Sequence, residues 1–377
     1  MINFNQPYIA RNQVKYIKES LENYHISGDG PFTKKCNLHL EKYLGVKKAL
    51  ITTSCTHALE MSAILLDLKE GDEVIVPSFT FVSTPNAFIL RGAKPVFIDI
   101  RPDTLNMDEN KLEELITNNT KAIYVVHYAG VGCEMNRILE IAQKFGLAVV
   151  EDNAHGLFGK YNGKYLGTFG KFATQSFHET KNISCGEGGA LLINDSSFIE
   201  RAEIIREKGT NRSRFFRGQI DKYSWVDIGS SFLPSDILAA ILLSHLEESQ
   251  VIQRKRKEIW DNYDYVLRGW AYDNKVLQPF IPDHCEQSYH MYYLLLPNLD
   301  TRQAFIRHLK DRGVHSVFHY VPLHTSEMGK KYGYIEGNLP ITEDISNRLV
   351  RLPMYFDLSP TDLKEINQAV MNFKIVY

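Results

Sequence analysis

Phe177-His178-Glu179-Thr180-Lys181-Asn182 lies between an alternating apolar run at 172–177 and the glycine cluster Gly186-Glu187-Gly188-Gly189. The spacing predicts a strand over 172–177, a lysine just past its end and a tight backbone turn close behind. In an α/β protein the carboxyl end of a strand is where a reactive side chain is presented. Lys181 is therefore a candidate Schiff-base lysine, although a lone loop lysine is ordinarily a solvated surface charge. What decides between these readings lies elsewhere in the chain.

Working outward, residues 1–46 read as an N-terminal arm with a short helix at 14–23 and a turn at Ser27-Gly28-Asp29-Gly30-Pro31. From Ala49 the pattern becomes regular. A short run enters Thr52-Thr53-Ser54-Cys55, then come a helix at 56–68, a strand at 73–76, a helix at 84–90, a strand at 95–100 and a helix beginning near Asp108. A strand at 122–126, a helix at 136–145 and a strand at 147–150 follow. Alternating helices and short β-branched runs predict an α/β fold with a mostly parallel sheet. Residues 244–267 read as one long helix, with Arg254-Lys255-Arg256-Lys257 on a solvated face. Segments at 290–296, 301–312, 314–318 and 363–373 predict a smaller α+β unit. The expected division is a large domain over 1–245 and a small C-terminal domain over 246–377.

Composition narrows the function. Among 377 residues, 43 basic and 45 acidic side chains leave a formal charge of −2, so neither nucleic acid nor an anionic membrane is an expected partner. The start of the chain lacks a basic segment followed by an apolar one, and no later apolar run approaches membrane-spanning length, so a cytoplasmic protein is expected. Cys36, Cys55, Cys133, Cys185 and Cys285 are scattered without a C-x-x-C pair, the pattern of reduced thiols rather than disulfides or a structural zinc site.

The strand ends supply chemistry. The run at 147–150 delivers Glu151-Asp152-Asn153-Ala154-His155, the run at 172–177 delivers Ser176, His178 and Lys181, and the first strand delivers Ser54, Cys55 and Thr56 into a helix N-terminus. Such a terminus offers unpaired N–H groups and a positive dipole end to a phosphate. Pyridoxal phosphate needs a lysine, a carboxylate for its ring nitrogen, phosphate donors and an aromatic face, for which Phe79 or Phe81 is available.

These stretches, together with Gln175-Ser176, Pro77-Ser78-Phe79-Thr80-Phe81-Val82-Ser83-Thr84 and Thr53-Ser54-Cys55-Thr56, resemble the DegT/DnrJ/EryC1/StrS family of pyridoxal phosphate-dependent sugar aminotransferases. The resemblance covers essentially the whole chain, with the motifs in family order. It implies the aspartate aminotransferase-type fold (fold type I), a homodimer with its active site at the subunit interface, and pyridoxal 5'-phosphate as cofactor, with no metal. By position it gives Lys181 the covalent bond to the cofactor, Asp152 the pyridinium nitrogen, Phe81 the stacking face and His155 a place beside the ring. Ser176 and the backbone of Cys55 and Thr56 take the phosphate. His319-Tyr320-Val321-Pro322-Leu323-His324 resembles a family segment bordering the substrate pocket, which makes Tyr320 and His324 substrate candidates; His178 is placed either to contact the sugar or to orient the loop, and Arg212 and Arg217 in a basic loop suit a sugar nucleotide's diphosphate across the interface. The substrates the resemblance implies are L-glutamate and a dTDP-linked keto sugar. Many members carry an asparagine that reaches the neighbour's phosphate site where this chain has Leu233; Ser231 and Asn211 are the candidate replacements. Two other readings stand beside this one. A sugar dehydratase on the same fold is opposed by Lys181, where such members resemble this chain but carry histidine. A binding protein without turnover shares the fold.

Overall fold

The computed structural model describes residues 1–375. A seven-stranded sheet forms the framework, in the order Lys48–Thr52, Gly189–Ile193, Phe172–Ser176, Ala148–Asp152, Thr120–Val126, Glu73–Pro77, Lys94–Ile98. The last five strands of this order run parallel, whereas Gly189–Ile193 is antiparallel to both of its neighbours. Every residue of Ala148–Asp152, Phe172–Ser176 and Gly189–Ile193 is buried, because helices cover both faces and leave no solvent side. Alternate residues serve opposite cores. Leu50, Val74, Val76, Tyr124, Val150 and Leu191 pack on one face, and Ala49, Ile51, Ile75, Ile123, Val125 and Val149 on the other.

A third core belongs to the C-terminal region. The strands Tyr293–Leu295, Leu349–Arg351 and Val317–Phe318 form an antiparallel sheet backed by the helices Leu299–Asp311 and Pro360–Met371. Trp260, Tyr263, Tyr292, Leu294, Phe305, Leu309, Val350 and Ile366 fill it, and Ile2 of the N-terminus joins them. The helix Ser249–Asp273 connects the regions, burying Ile252 against the large sheet and Ile259, Tyr263 and Leu267 in the C-terminal core. Among the described residues no helix is long and apolar enough to cross a membrane, and all five cysteines are free thiols.

Four local expectations are corrected. The N-terminal arm contains a second helix, Pro31–Leu44, which buries Phe32, Cys36, Leu40 and Leu44 at fourfold spacing. Pro31 opens it and Gly45 closes it at φ +78°, a conformation glycine adopts without cost. The helix expected near Asp108 is two 3-10 turns, Glu109–Lys111 and Glu113–Leu115. The helix expected over 244–267 is two helices, Asp236–Glu247 and Ser249–Asp273, parted at Glu248, whose carboxylate accepts from Tyr8 Oη at 2.6 Å and Arg11 N at 3.1 Å. Arg256 is not part of a solvated face. It is buried, donating to the carbonyls of Tyr289 at 2.9 Å and of His290 and Met354, so its charge is satisfied by backbone dipoles.

Candidate active site

The turns that follow the strands Lys48–Thr52, Phe172–Ser176, Ala148–Asp152 and Glu73–Pro77 bring the site together. After Phe172–Ser176 the chain makes a compact turn held by Phe177 N to Gly188 O at 2.8 Å, Glu179 N to Gly186 O at 2.9 Å and Lys181 N to His178 O at 2.9 Å. Gly189, which opens the return strand, lies so close to the start of the helix Cys55–Leu65 that a Cβ there would overlap the backbone of Ser54 and Cys55. The glycine cluster thus seats the lysine turn against a helix N-terminus. Ser54 caps that helix by accepting from His57 N at 3.1 Å. The N–H groups of Cys55 and Thr56 precede the helical ladder and face the end where an anion is favoured. Thr56 Oγ1 and Ser83 Oγ share a hydrogen bond of 2.8 Å beside them.

Lys181 is half-buried, and its pKa is lowered to about 8. Loss of hydration is the main cause. Arg351 lowers it further, while Cys55 and Asp152 oppose the shift. Asp152 is buried, so its carboxyl is pushed up by desolvation, against the Thr84 hydroxyl at 2.7 Å, the Ala154 N–H at 3.2 Å and the charges of Lys181 and His127. A buried carboxyl in this state gains most from a cationic partner. His155 is buried with its pKa driven well below the usual value by burial, Lys181 and Arg351, so it is neutral; its Nδ1 has no hydrogen-bond partner. Burial, with Asp152 nearby, pushes the Cys55 thiol up, and it remains protonated.

These groups fit pyridoxal phosphate on observations of the structure itself. Asp152 is a buried carboxyl suited to a protonated ring nitrogen, His155 Nδ1 is an orphaned buried polar atom, and Lys181 is an amine held near neutrality. Of the two candidate aromatic faces, Phe79 is buried against Tyr128 and Tyr320, with ring centroids 5.0 and 5.7 Å away, whereas Phe81 is 57% exposed and open to a ring. Ser176 ends its strand on the same side, beside His178 N. Tyr320 borders the cluster, 6.4 Å from Phe81 between ring centroids, and its hydroxyl pKa is pushed up by burial and by Asp152.

Other expected substrate residues are placed differently. His324 is fully buried with both ring nitrogens engaged, Nδ1 with Ser78 Oγ at 2.7 Å and Nε2 with Glu343 at 2.8 Å. It braces the turn after Glu73–Pro77 and has no nitrogen left for a ligand. His178 bonds within its own turn, Nδ1 to Thr180 Oγ1 at 2.9 Å. Arg212 and Arg217 lie at an exposed short helix, Arg212–Phe216, paired with Glu207 at 3.2 Å and Glu203 at 2.7 Å rather than with members of the Lys181 cluster. Asn211 accepts from Ser224 N at 2.8 Å within that segment, Ser231 is exposed, and Leu233 packs on Gly28.

Several contributors were invisible to spacing. Glu151 faces away from the site and accepts from the N–H groups of Gly167, Phe169 and Gly170, each at 2.7 Å, and pairs with His127 at 2.9 Å, pinning the strand that carries Asp152. Arg351 arrives from the C-terminal sheet. Its Nε is buried without a partner, and its charge is felt by Lys181, His155, His319, Tyr128 and Tyr320. An arginine inside the apolar run 349–354 is the sequence signal that marks it.

Comparison with known proteins agrees with this geometry. The DegT/DnrJ/EryC1/StrS aminotransferase family matches residues 7–371. The chain is 32% identical over 370 residues to GDP-perosamine synthase of Escherichia coli O157:H7, covering 98% of this chain and 97% of that one. Its fold matches the crystal structure of the aminotransferase TlmJ from Streptoalloteichus hindustanus with TM-score 0.90 at 31% identity, over 98% of both chains. It also matches the PLP-form of the putative sugar aminotransferase Spr1654 from Streptococcus pneumoniae, with TM-score 0.90 at 27% identity over 98% of this chain and 97% of that one.

Proposed function

The chain belongs to the DegT/DnrJ/EryC1/StrS aminotransferase family and is a pyridoxal phosphate-dependent sugar aminotransferase; from that premise we propose that it transfers the amino group of L-glutamate to the 4-keto carbon of dTDP-4-dehydro-6-deoxy-D-glucose, giving dTDP-4-amino-4,6-dideoxy-D-galactose. The observation that carries the reaction type is Lys181, an amine lowered to about 8 beside a buried carboxyl and a neutral imidazole. The finer assignment is supported by Arg206-Glu207-Lys208-Gly209-Thr210-Asn211-Arg212-Ser213-Arg214-Phe215-Phe216-Arg217-Gly218-Gln219 and Asp227-Ile228-Gly229-Ser230-Ser231-Phe232. Together with residues 177–182 they resemble the transaminase that makes this amino sugar.

When bound, pyridoxal phosphate supplies the electron sink that makes a proton on the donor's α-carbon removable. Lys181 is the base for that proton and later returns one to the sugar carbon, which fixes the configuration of the product. With a pKa of about 8, an appreciable fraction of its amine is neutral near physiological pH. Asp152 would hold the ring-nitrogen proton, and the N–H groups of Cys55 and Thr56 with Ser176 would hold the phosphate. His155, buried with its Nδ1 unpartnered, would lie beside the cofactor and exclude water from it. Arg351, a half-buried cation whose Nε is buried without a partner, favours an anionic substrate beside Lys181.

The homodimer belongs to the same proposal. Trp225 is 79% and Phe216 67% exposed on the segment that carries Arg212 and Arg217, a surface suited to a second copy of this chain. Surface ion pairs such as those of Arg212 and Arg217 are weak, so both arginines are free to exchange their glutamates for the sugar nucleotide's diphosphate across the interface. NMR of the product formed from glutamate and dTDP-4-dehydro-6-deoxy-D-glucose tests the assignment. An axial amine at C4 is expected; an equatorial amine, an amine at C3 or turnover only with a GDP or UDP sugar contradicts it.

A further inference from the structure

One short segment, 288–290, touches both strand-end turns that carry the reacting groups. On the lysine side, Asn182 is buried next to Lys181 and its Nδ2 donates to Ser288 O at 2.7 Å and to Gln253 Oε1 at 3.0 Å. Its Oδ1 meets His290 Nδ1 at 3.0 Å. Turning the amide over would set its oxygen against the Ser288 carbonyl, so the amide orientation is fixed and His290 Nδ1 carries the proton. On the carboxylate side, Ser288 Oγ donates to the carbonyl of His155, and the His290 ring stacks on the His155 ring with centroids 4.4 Å apart and planes 19° apart. Arg256 anchors the segment through the carbonyls of Tyr289 and His290. His290 is itself buried and neutral, since burial and the charges of Lys181, Arg256 and Arg351 all disfavour a second proton.

We propose that His290 is a positioning residue for Lys181, acting through Asn182: its N–H holds the lysine turn while its ring holds His155, so one imidazole sets the amine in register with the Asp152–His155 turn. The distance between these turns fixes where the amine meets a substrate carbon. A displacement of about 1 Å at such a contact costs on the order of 100-fold in rate. The inference rests on the reading of Lys181 as the reacting amine.

The test uses His290→Phe, which keeps a ring to stack but removes the N–H donor, Asn182→Ala, the double variant, and His290→Gln, which restores a donor. The first readout is made on cofactor-free protein: the pH dependence of Lys181 modification by trinitrobenzenesulfonate, followed by peptide mapping. Lys181 is faced by Cys55, Asp152 and Arg351, and these groups are retained in every variant. The wild type is expected to show a midpoint near 8. In His290→Phe and Asn182→Ala the midpoint rises toward the ordinary lysine value, because a loosened turn admits water, and His290→Gln restores it partly. The second readout is the single-turnover rate with glutamate. A fall of about 10- to 100-fold is expected in either single variant with little change in KM, and the double variant should be no worse than the weaker single one. An unchanged midpoint, or rate losses that simply multiply in the double variant, would overturn the proposal. Midpoints that shift in the variants as described, with a wild type that transfers no amino group, would leave the positioning role standing and refute the function.

Discussion

The turn at 177–189 and the segment at 211–231 are both polar, glycine-containing stretches, yet their environments are opposite. In the first, backbone groups close on one another, Asn182 is buried, and Gly189 is pressed against a helix start. In the second, Phe216, Tyr223, Trp225 and Val226 are exposed, and Arg212 and Arg217 form ion pairs with Glu207 and Glu203, with Arg212 also lying over the Phe216 and Tyr223 rings and Arg217 donating to Gln219. A loop whose hydrogen bonds close inside its own chain is complete as it stands. One that leaves large aromatics in water is shaped for a surface it does not carry. On the proposed reading the reacting amine is the work of one chain, and Arg212 and Arg217 are offered to a second copy.

The largest effect expected from breaking this contrast is at Lys181. Lys181→Ala should lower the turnover number on the order of 10^4-fold while the folded protein still takes up cofactor, measured by steady-state assay and absorbance. Substantial residual activity would move the proton transfer to another group and remove the distinction between the two loops. A smaller effect is expected in the exposed segment. Trp225→Ser combined with Phe216→Ser should change the stability of the single chain by no more than about 0.5 kcal/mol, while raising the dimer dissociation constant roughly 10-fold or more. Analytical ultracentrifugation and chemical unfolding measure the two separately. If the single chain were destabilised and association unaffected, the segment would belong to its own fold.

The sequence made the lysine turn legible because everything that positions it at first approximation is local: a β-rich run, a polar hexapeptide and a glycine cluster. The parallel sheet was legible for the same reason, since each strand and helix carries its own period. What escaped depends on residues far apart. Arg256 looks like one of four solvated cations until the carbonyls of Tyr289, His290 and Met354 converge on it. His324 looks like a ligand until Ser78 and Glu343 occupy both its nitrogens. The break at Glu248 is set by Tyr8 and Arg11, more than two hundred residues away in the chain. The helix Pro31–Leu44 is different. Its apolar spacing, opening proline and closing glycine were all present in the sequence, and reading residues 1–46 as an arm passed over them.

Absorbance spectroscopy of the protein loaded with pyridoxal phosphate reads out whether Lys181 and its neighbours form a working amino-transfer centre. The visible band should bleach on adding L-glutamate and return on adding dTDP-4-dehydro-6-deoxy-D-glucose. A band that responds to neither would mean that the chain holds the cofactor without moving an amino group.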